Sequence, residues 1–437
     1  MRKTRLLAIL GASSLLLAAC GSGSGGGSDS GASDNKKPWE GDASEVAVAT
    51  WWEAGSEKLG LEALTKVFEE QNPKTKFVNA AIAGGGGSQA KQKLAADLAA
   101  GSPPDTFQAH AGAELSDYID ADQIEDLTGL YDELGLKDAF PETLIDQLKV
   151  DGKLYSVPSN VHRANVVWAN PKVLEEAGVD AKTPPKDIDA WIADMEKIKA
   201  AGKTPITVGM AWTQTELLET ILIADLGPEE YNGLFDGKTK WDSDGVKKAL
   251  AHFEKIISFT DKSLISEDWE PAMQPVVDGK AAYHVMGDWA VASFDTQKKK
   301  AGEDYVYFPV PGTDGVFDFL ADSFTLPKGA KHPGGTKAWL TTISSKDGQI
   351  AFSTVKGSIP ARADLTDEEK GKFSEYQQNA MESFGKDTIV SSIAHGAALP
   401  VKVSNDINDA VSKFVEGGSD LDAFQQALVK ATDSVGK

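Results

Sequence analysis
The sequence predicts an α/β fold built as two lobes, on three observations. The chain has 437 residues, more than one hydrophobic core of about 250–300 residues serves. Its folded part opens with strand-like and helix-like patterns in strict alternation, the mark of a parallel sheet covered by helices. Beyond residue 37 the prolines and glycines are scattered. No long linker separates the lobes, so several chain crossings must join them.

The elements follow in order. Val46 to Trp51 is a β-rich run, and Glu57 to Glu70 places Leu61, Leu64, Val67 and Phe68 at helical spacing before Asn72-Pro73. Lys76 to Ile82 reads as a second strand. Gly84 to Gly87 is a loop, and Ser88 is placed to cap a helix running to about Ala100. Asp105 to His110 is the third strand. Further helical patterns lie near 187–201, 213–225, 243–259, 333–344 and 420–432. Short strands are expected near 154–157, 165–168, 205–208, 280–285, 304–308 and 318–326.

Ahead of the fold stands an address. Arg2, Lys3 and Arg5 precede an apolar or small run from Leu6 to Leu17, too short to span a bilayer. Leu17-Ala18-Ala19-Cys20 follows and resembles a bacterial lipobox, in which residues 1–19 are removed and Cys20 is lipidated. Cys20 is the one cysteine, which leaves no intramolecular disulfide and no cysteine-pair zinc site. Residues 21–37 are Gly, Ser, Asp, Ala, Asn and Lys and cannot build a core; 20–44 is read as lipidated cysteine and flexible tether. The expectation is an extracytoplasmic protein held to the outer face of the cell membrane.

Charge and motifs exclude several functions. The formal charge is −22, and −25 once the three leader cations are removed. Such a chain repels nucleic acid. Both Gly-Lys-Thr triplets, 202–204 and 237–239, lack the earlier glycine of a phosphate loop, and no G-x-S-x-G elbow occurs. The six histidines form no i, i+4 pair, and Asp242-Ser243-Asp244-Gly245 is mis-spaced for calcium. No cofactor or metal is expected.

The chain resembles the family 1 extracellular solute-binding proteins, which serve ABC sugar importers. The resemblance covers essentially all of residues 45–435. It is carried by Trp51-Trp52, Pro103-Pro104-Asp105, Gly152 to Pro158, and the stretch from Gly279-Lys280-Ala281-Ala282 to Met286-Gly287-Asp288-Trp289. Within the family, 107–112, 160–163, 320–324, 356–359 and 395–397 are most similar to glucose- and galactose-type monosaccharide binders. The resemblance implies a two-lobe periplasmic-binding-protein-like fold of type II, with the ligand in the cleft. Crossings should fall near 160–164, 317–323 and 360–366. Lobe 1 is then 45–160 plus 320–360, and lobe 2 is 161–319 plus 361–437. It further implies a monomer that binds a monosaccharide without catalysis and hands it to the transmembrane subunits of an ABC permease. A secreted glycoside hydrolase and a carbohydrate-binding adhesin are the competing classes.

A hexose needs flat aromatic surfaces for its C–H faces and paired polar groups for its hydroxyls. Trp51 and Trp52 end a strand and point to opposite faces; Trp52 is favoured for the cleft. Asp288-Trp289 opens a helix and offers a stacking platform, as does Trp212 with Gln214 nearby. Gln108 and His110 share one strand face. Glu57 opens a helix, where a carboxylate also suits the dipole. Asp322 lies in an otherwise apolar strand and needs a partner. Lys356 and His395 stand in small-residue loops. In the resembling sugar binders the residues matching Glu57, Gln108, His110, Asp322, Lys356 and His395 contact the sugar, and the resemblance implies that role here. His162 and Arg163 fall at the first crossing.

Overall fold
Alternating apolar residues make Glu45–Ala49 a strand with Val46 and Val48 on its buried face. In the computed structural model, which describes residues 36–84 and 87–435, this strand sits inside a five-stranded sheet. The order is Lys76–Asn79, Glu45–Ala49, Thr106–His110, Asp322–Thr325, Ser156–Pro158. The first three strands are parallel and the last two pair antiparallel. Helix Gly55–Gln71 covers one face through Leu61, Leu64 and Phe68, the 3–4 spacing read from sequence.

A second sheet has the order Val306–Pro309, Val166–Ala169, Ala281–Val285, Thr204–Thr207. It is packed by helices Ile188–Ala200, Ala211–Asp236, Asp244–Ile257 and Val401–Val415. Helix Ala211–Asp236 is broken at Gly227, whose φ of 74° precedes Pro228.

A third, small sheet lies where the chain passes between the two. His162–Arg163 leads from the first sheet to the second, and Val316–Leu320 leads back. These crossing strands pair antiparallel, Leu320 opposite His162, with Thr388–Ser391 parallel on the far edge of Val316–Leu320. Val161 and Ile359 exchange two backbone hydrogen bonds beside them.

Three expectations are corrected. The strand expected over 318–326 is two strands, Val316–Leu320 and Asp322–Thr325, because the chain changes sheets at Ala321. Ser88 is the first residue of its helix, and the left-handed Gly87 occupies the cap without a side-chain bond. The packed fold begins at Pro38, inside the span read as tether. Trp39 is buried, and its indole N–H donates to Glu133 Oε2 at 3.1 Å. Apolar burial of a tryptophan outweighs the polar character of its neighbours. The leader 1–19, Cys20 and the glycine-rich run to residue 35 lie outside the described residues.

Candidate functional site
The floor of the site is the antiparallel pair Thr106–His110 and Asp322–Thr325, in which Asp322 stands opposite His110. Gln108 Nε2 donates to Asp322 Oδ1 at 2.8 Å, and Asn160 Nδ2 donates to Oδ2 at 3.1 Å. His162 Nε2 lies 3.2 Å from the same oxygen. Gln108 is itself fixed by the hydroxyl of Thr50 on its carbonyl oxygen. Burial raises the Asp322 pKa, but the hydrogen bond and charge of His162, with the charges of His110 and Lys356, hold it well below the usual carboxylate range. An ionised carboxylate thus faces the cavity in a nearly dry setting.

The histidines are set from behind. His162 Nδ1 contacts Asp288, and this carboxylate lifts the imidazole pKa above its ordinary value against burial. Burial in turn raises Asp288, with His162 opposing. His110 Nδ1 lies 2.8 Å from Glu114 Oε2, which Lys91 also reaches at 2.9 Å. Burial raises Glu114, yet Lys91 and His110 together bring it down to about 2. Lys356 Nζ sits 3.2 Å from Glu57 Oε1 and 5.5 Å from the centre of the Trp289 ring. Burial raises Glu57 even so, with Lys356 opposing.

Four tryptophans wall the cavity: Trp51, Trp212, Trp269 and Trp289. Asp268 caps the helix that Trp269 opens and accepts the Trp212 indole N–H at 3.3 Å, so one carboxylate orients two walls. Trp289 lies in the 288–290 turn and folds back over Gly287, where an added Cβ would collide with the ring. Its ring meets His395 at 5.2 Å and Trp212 at 6.4 Å. The space between these walls is about 470 Å³, open mouth included. Among the described residues no group of three or more His, Cys, Asp or Glu is arranged to hold a metal ion.

Seven residues singled out from sequence line this cavity: Glu57, His110, Trp212, Trp289, Asp322, Lys356 and His395. Gln108 and Asp288 stand one layer back, where they hold Asp322 and His162. Gln214 does not reach the cavity. Its amide donates to the carbonyls of Gly209 and Ile265 and ties the helix start to neighbouring loops.

The expectation for Trp52 is reversed. Trp52 is fully buried against Phe352 and Phe324, with ring centres at 4.5 and 5.5 Å, and Trp51 lines the cavity instead. The strand's period of two explains it, since Trp52 has the parity of Val46 and Val48, the core face. The sequence reading also passed over Trp269 and Asp268, and it placed His162 only at a crossing. Trp269 has a local signal, an Asp N-cap before a helix, but nothing local says that the helix start faces a cleft.

Two sheets, crossing strands between them and an aromatic, polar cavity at the crossing can be set beside known proteins. Residues 42–350 match the model of the bacterial extracellular solute-binding proteins. An uncharacterised ABC transporter extracellular-binding protein of Pyrococcus horikoshii is 34% identical over 418 residues, covering 95% of this chain and 93% of that one. A xylose/arabinose-binding protein of Haloferax volcanii is 28% identical over 405 residues, 91% of this chain and 86% of its own. In structure, a chitin oligosaccharide binding protein superposes with a TM-score of 0.78 at 21% identity, over 91% of this chain and all of the other, and this likeness speaks for the fold. The chain belongs to the bacterial extracellular solute-binding proteins, as a sugar-binding protein of the ABC transporter type.

Proposed function
We propose that this protein captures a monosaccharide, glucose- or galactose-like, by closing its two lobes, and delivers it to an ABC permease while held to the outer face of the membrane through Cys20. The lobes in this reading are 45–160 with 320–360, and 161–319 with 361–437. The observation that carries it is the ring of four tryptophans around an ionised Asp322. Indole faces match the C–H patches of a pyranose, and a buried anion with histidines and Lys356 beside it matches a rim of hydroxyls. Contact falls to Trp51, Glu57, His110, Asp322, Lys356 and His395, with Trp212 and Trp289 as stacking surfaces.

Enclosure favours a single sugar over a longer chain, because tryptophans close the cavity from several directions. The name of the Haloferax volcanii relative, a xylose/arabinose-binding protein, points the same way. Closure follows from linkage, because a ligand that touches both lobes stabilises the closed form by its differential affinity.

Calorimetric titration with glucose, galactose, xylose and a disaccharide series tests this, with tryptophan fluorescence read in parallel. One-to-one binding of a monosaccharide with a fluorescence change supports the proposal. Binding of disaccharides or longer alone refutes the monosaccharide, and turnover of a chromogenic glycoside refutes a role limited to binding.

A further inference from the structure
Behind His395 lies a line of polar groups that the sugar contacts leave unused. Glu219, on the fully buried start of helix Ala211–Asp236, reaches the loop that carries this histidine. Its Oε2 accepts the amide N–H groups of Ile393 at 2.6 Å and Ala394 at 2.9 Å. Its Oε1 accepts the Ser392 hydroxyl at 2.8 Å. Burial raises Glu219 to about 7, but three donors converging on its carboxyl favour the ionised form over that of Asp318, which has none among the described residues. The side chain of Asp318, on crossing strand Val316–Leu320, lies against Glu219. Neither Asp318 oxygen has a donor among the described residues, and both are buried. Two like charges cannot both persist there, so Asp318 carries a proton and gives its hydrogen bond to Glu219.

The consequence passes along the line. Ser392 has one hydroxyl hydrogen, and Glu219 receives it. The serine oxygen can then only accept on its other side, where it lies 2.9 Å from His395 Nδ1 and 3.2 Å from the His395 amide nitrogen. The hydrogen between Ser392 and the ring therefore belongs to Nδ1. Burial, with the charge of His110, keeps His395 neutral, its pKa well below the ordinary value. Nε2 is left with a lone pair. It is buried, has no partner among the described residues, and belongs to a ring that lines the cavity.

We infer that Asp318, Glu219 and Ser392 are positioning residues that lock His395 as its Nδ1–H tautomer, so that Nε2 meets the ligand as a hydrogen-bond acceptor. The functional half of this rests on the sugar reading above, since a sugar hydroxyl would supply the donor. Lys356 only donates and Asp322 only accepts. His395, a ring that could do either, is thereby committed, and a ligand group that cannot donate at that point is rejected.

The test reads the tautomer directly. Protein labelled with 15N-histidine is observed without ligand by long-range proton–nitrogen correlation, and His395 is assigned by the peaks missing from His395→Asn. A protonated Nδ1 and a bare Nε2 are expected; an Nε2–H or a charged ring overturns the inference. Glu219→Gln extends it. The amide oxygen can keep the Ile393 and Ala394 N–H groups, which turns the NH2 toward Ser392. The serine hydroxyl must then donate to Nδ1, and the tautomer inverts, with glucose affinity falling about tenfold. An unchanged tautomer in a folded variant overturns the relay, and if the variant does not fold the wild-type spectrum still decides. Absence of sugar binding by the wild type refutes the sugar reading and leaves the tautomer result standing. Normal sugar binding with an Nε2–H ring refutes the relay alone.

Discussion
Replacing Asp322 by asparagine changes one atom and should nevertheless disable the site. Every polar contact to the Asp322 oxygens comes from a donor or a cation. Gln108 Nε2 lies at 2.8 Å, Asn160 Nδ2 at 3.1 Å and His162 Nε2 at 3.2 Å. The amides cannot turn to help, because Gln108's oxygen holds the Thr50 hydroxyl and Asn160's oxygen holds the Asp322 backbone N–H. Whichever way the substituted carboxamide is turned, its NH2 meets another N–H. A buried donor left without an acceptor costs about 1–3 kcal/mol. A ligand hydroxyl on a charged acceptor is worth about 1.5–3 kcal/mol, so Kd should weaken by about 10–150-fold. The sign with pH is also set. Asp322 is depressed in the fold, so its contribution to stability is full above the ordinary carboxylate pKa and is lost as pH falls through the folded value. Asp322→Asn should be less stable than wild type at pH 7, and the difference should shrink in acid. Calorimetry with the preferred sugar and urea melts from pH 7 to pH 3 measure both. A Kd within twofold of wild type, in a variant that melts like wild type, would refute the account of the floor.

The two adjacent tryptophans should differ in binding: both are buried, so truncating either to Ala should lower stability, by about 3–5 kcal/mol for Trp52, but only Trp51→Ala should also weaken sugar binding, about tenfold, in the folded protein by calorimetry. Glu114, brought to about 2 by Lys91 and His110, contributes stability above pH 4.5 that is lost as pH falls toward 2. Glu114→Gln should flatten the acid side of the stability curve by about 3 kcal/mol, read by urea melts. Gly287→Ala should displace the Trp289 ring, since the added Cβ collides with it, and a reduced fluorescence response to sugar would report this.

Period and composition carried the reading of the fold a long way and the reading of the site part of the way. Gln108 and His110 share a face because strands have a period of two, and both act on the Asp322 side. The same rule, applied with Val46 and Val48 as the buried face, would have sent Trp52 to the core. Other features have no local signal. Glu216 and Glu219 look like the polar positions of a surface helix, yet both are fully buried. Glu219 is held by the loop at 392–394 and lies against Asp318 of the strand at 316–320, far away in sequence. Trp269 became a wall because Asp268 ties it to Trp212 across 56 residues. Such partners are set by how the chain crosses between sheets, and the resemblance to sugar binders supplied Lys356 and His395 where periodicity could not.

The crossing strands explain why the site is where it is. His162 and Leu320 pair across the crossing and both line the cavity, with Asp322 two residues beyond. A rotation of one lobe on the other moves atoms in proportion to their distance from the axis. The Asp288–His162–Asp322 line lies at the crossing itself, so it can persist through opening and keep Asp322 charged and aimed. The approach of Lys356 to Trp289 at 5.5 Å, and of His110 to His395 at 5.6 Å, joins segments of the two proposed lobes. In the proposed closure these contacts are the ones a rotation makes and breaks. One is a cation over a ring and the other a ring pair, weak singly, about 0.5–1.5 kcal/mol each. A ligand lying between the same rings adds its own contacts to both sides at once, and that difference is what shifts the equilibrium. In the function proposed above, the polar frame at the crossing would fix which ligand is recognised, and the aromatic walls away from it would convert recognition into closure.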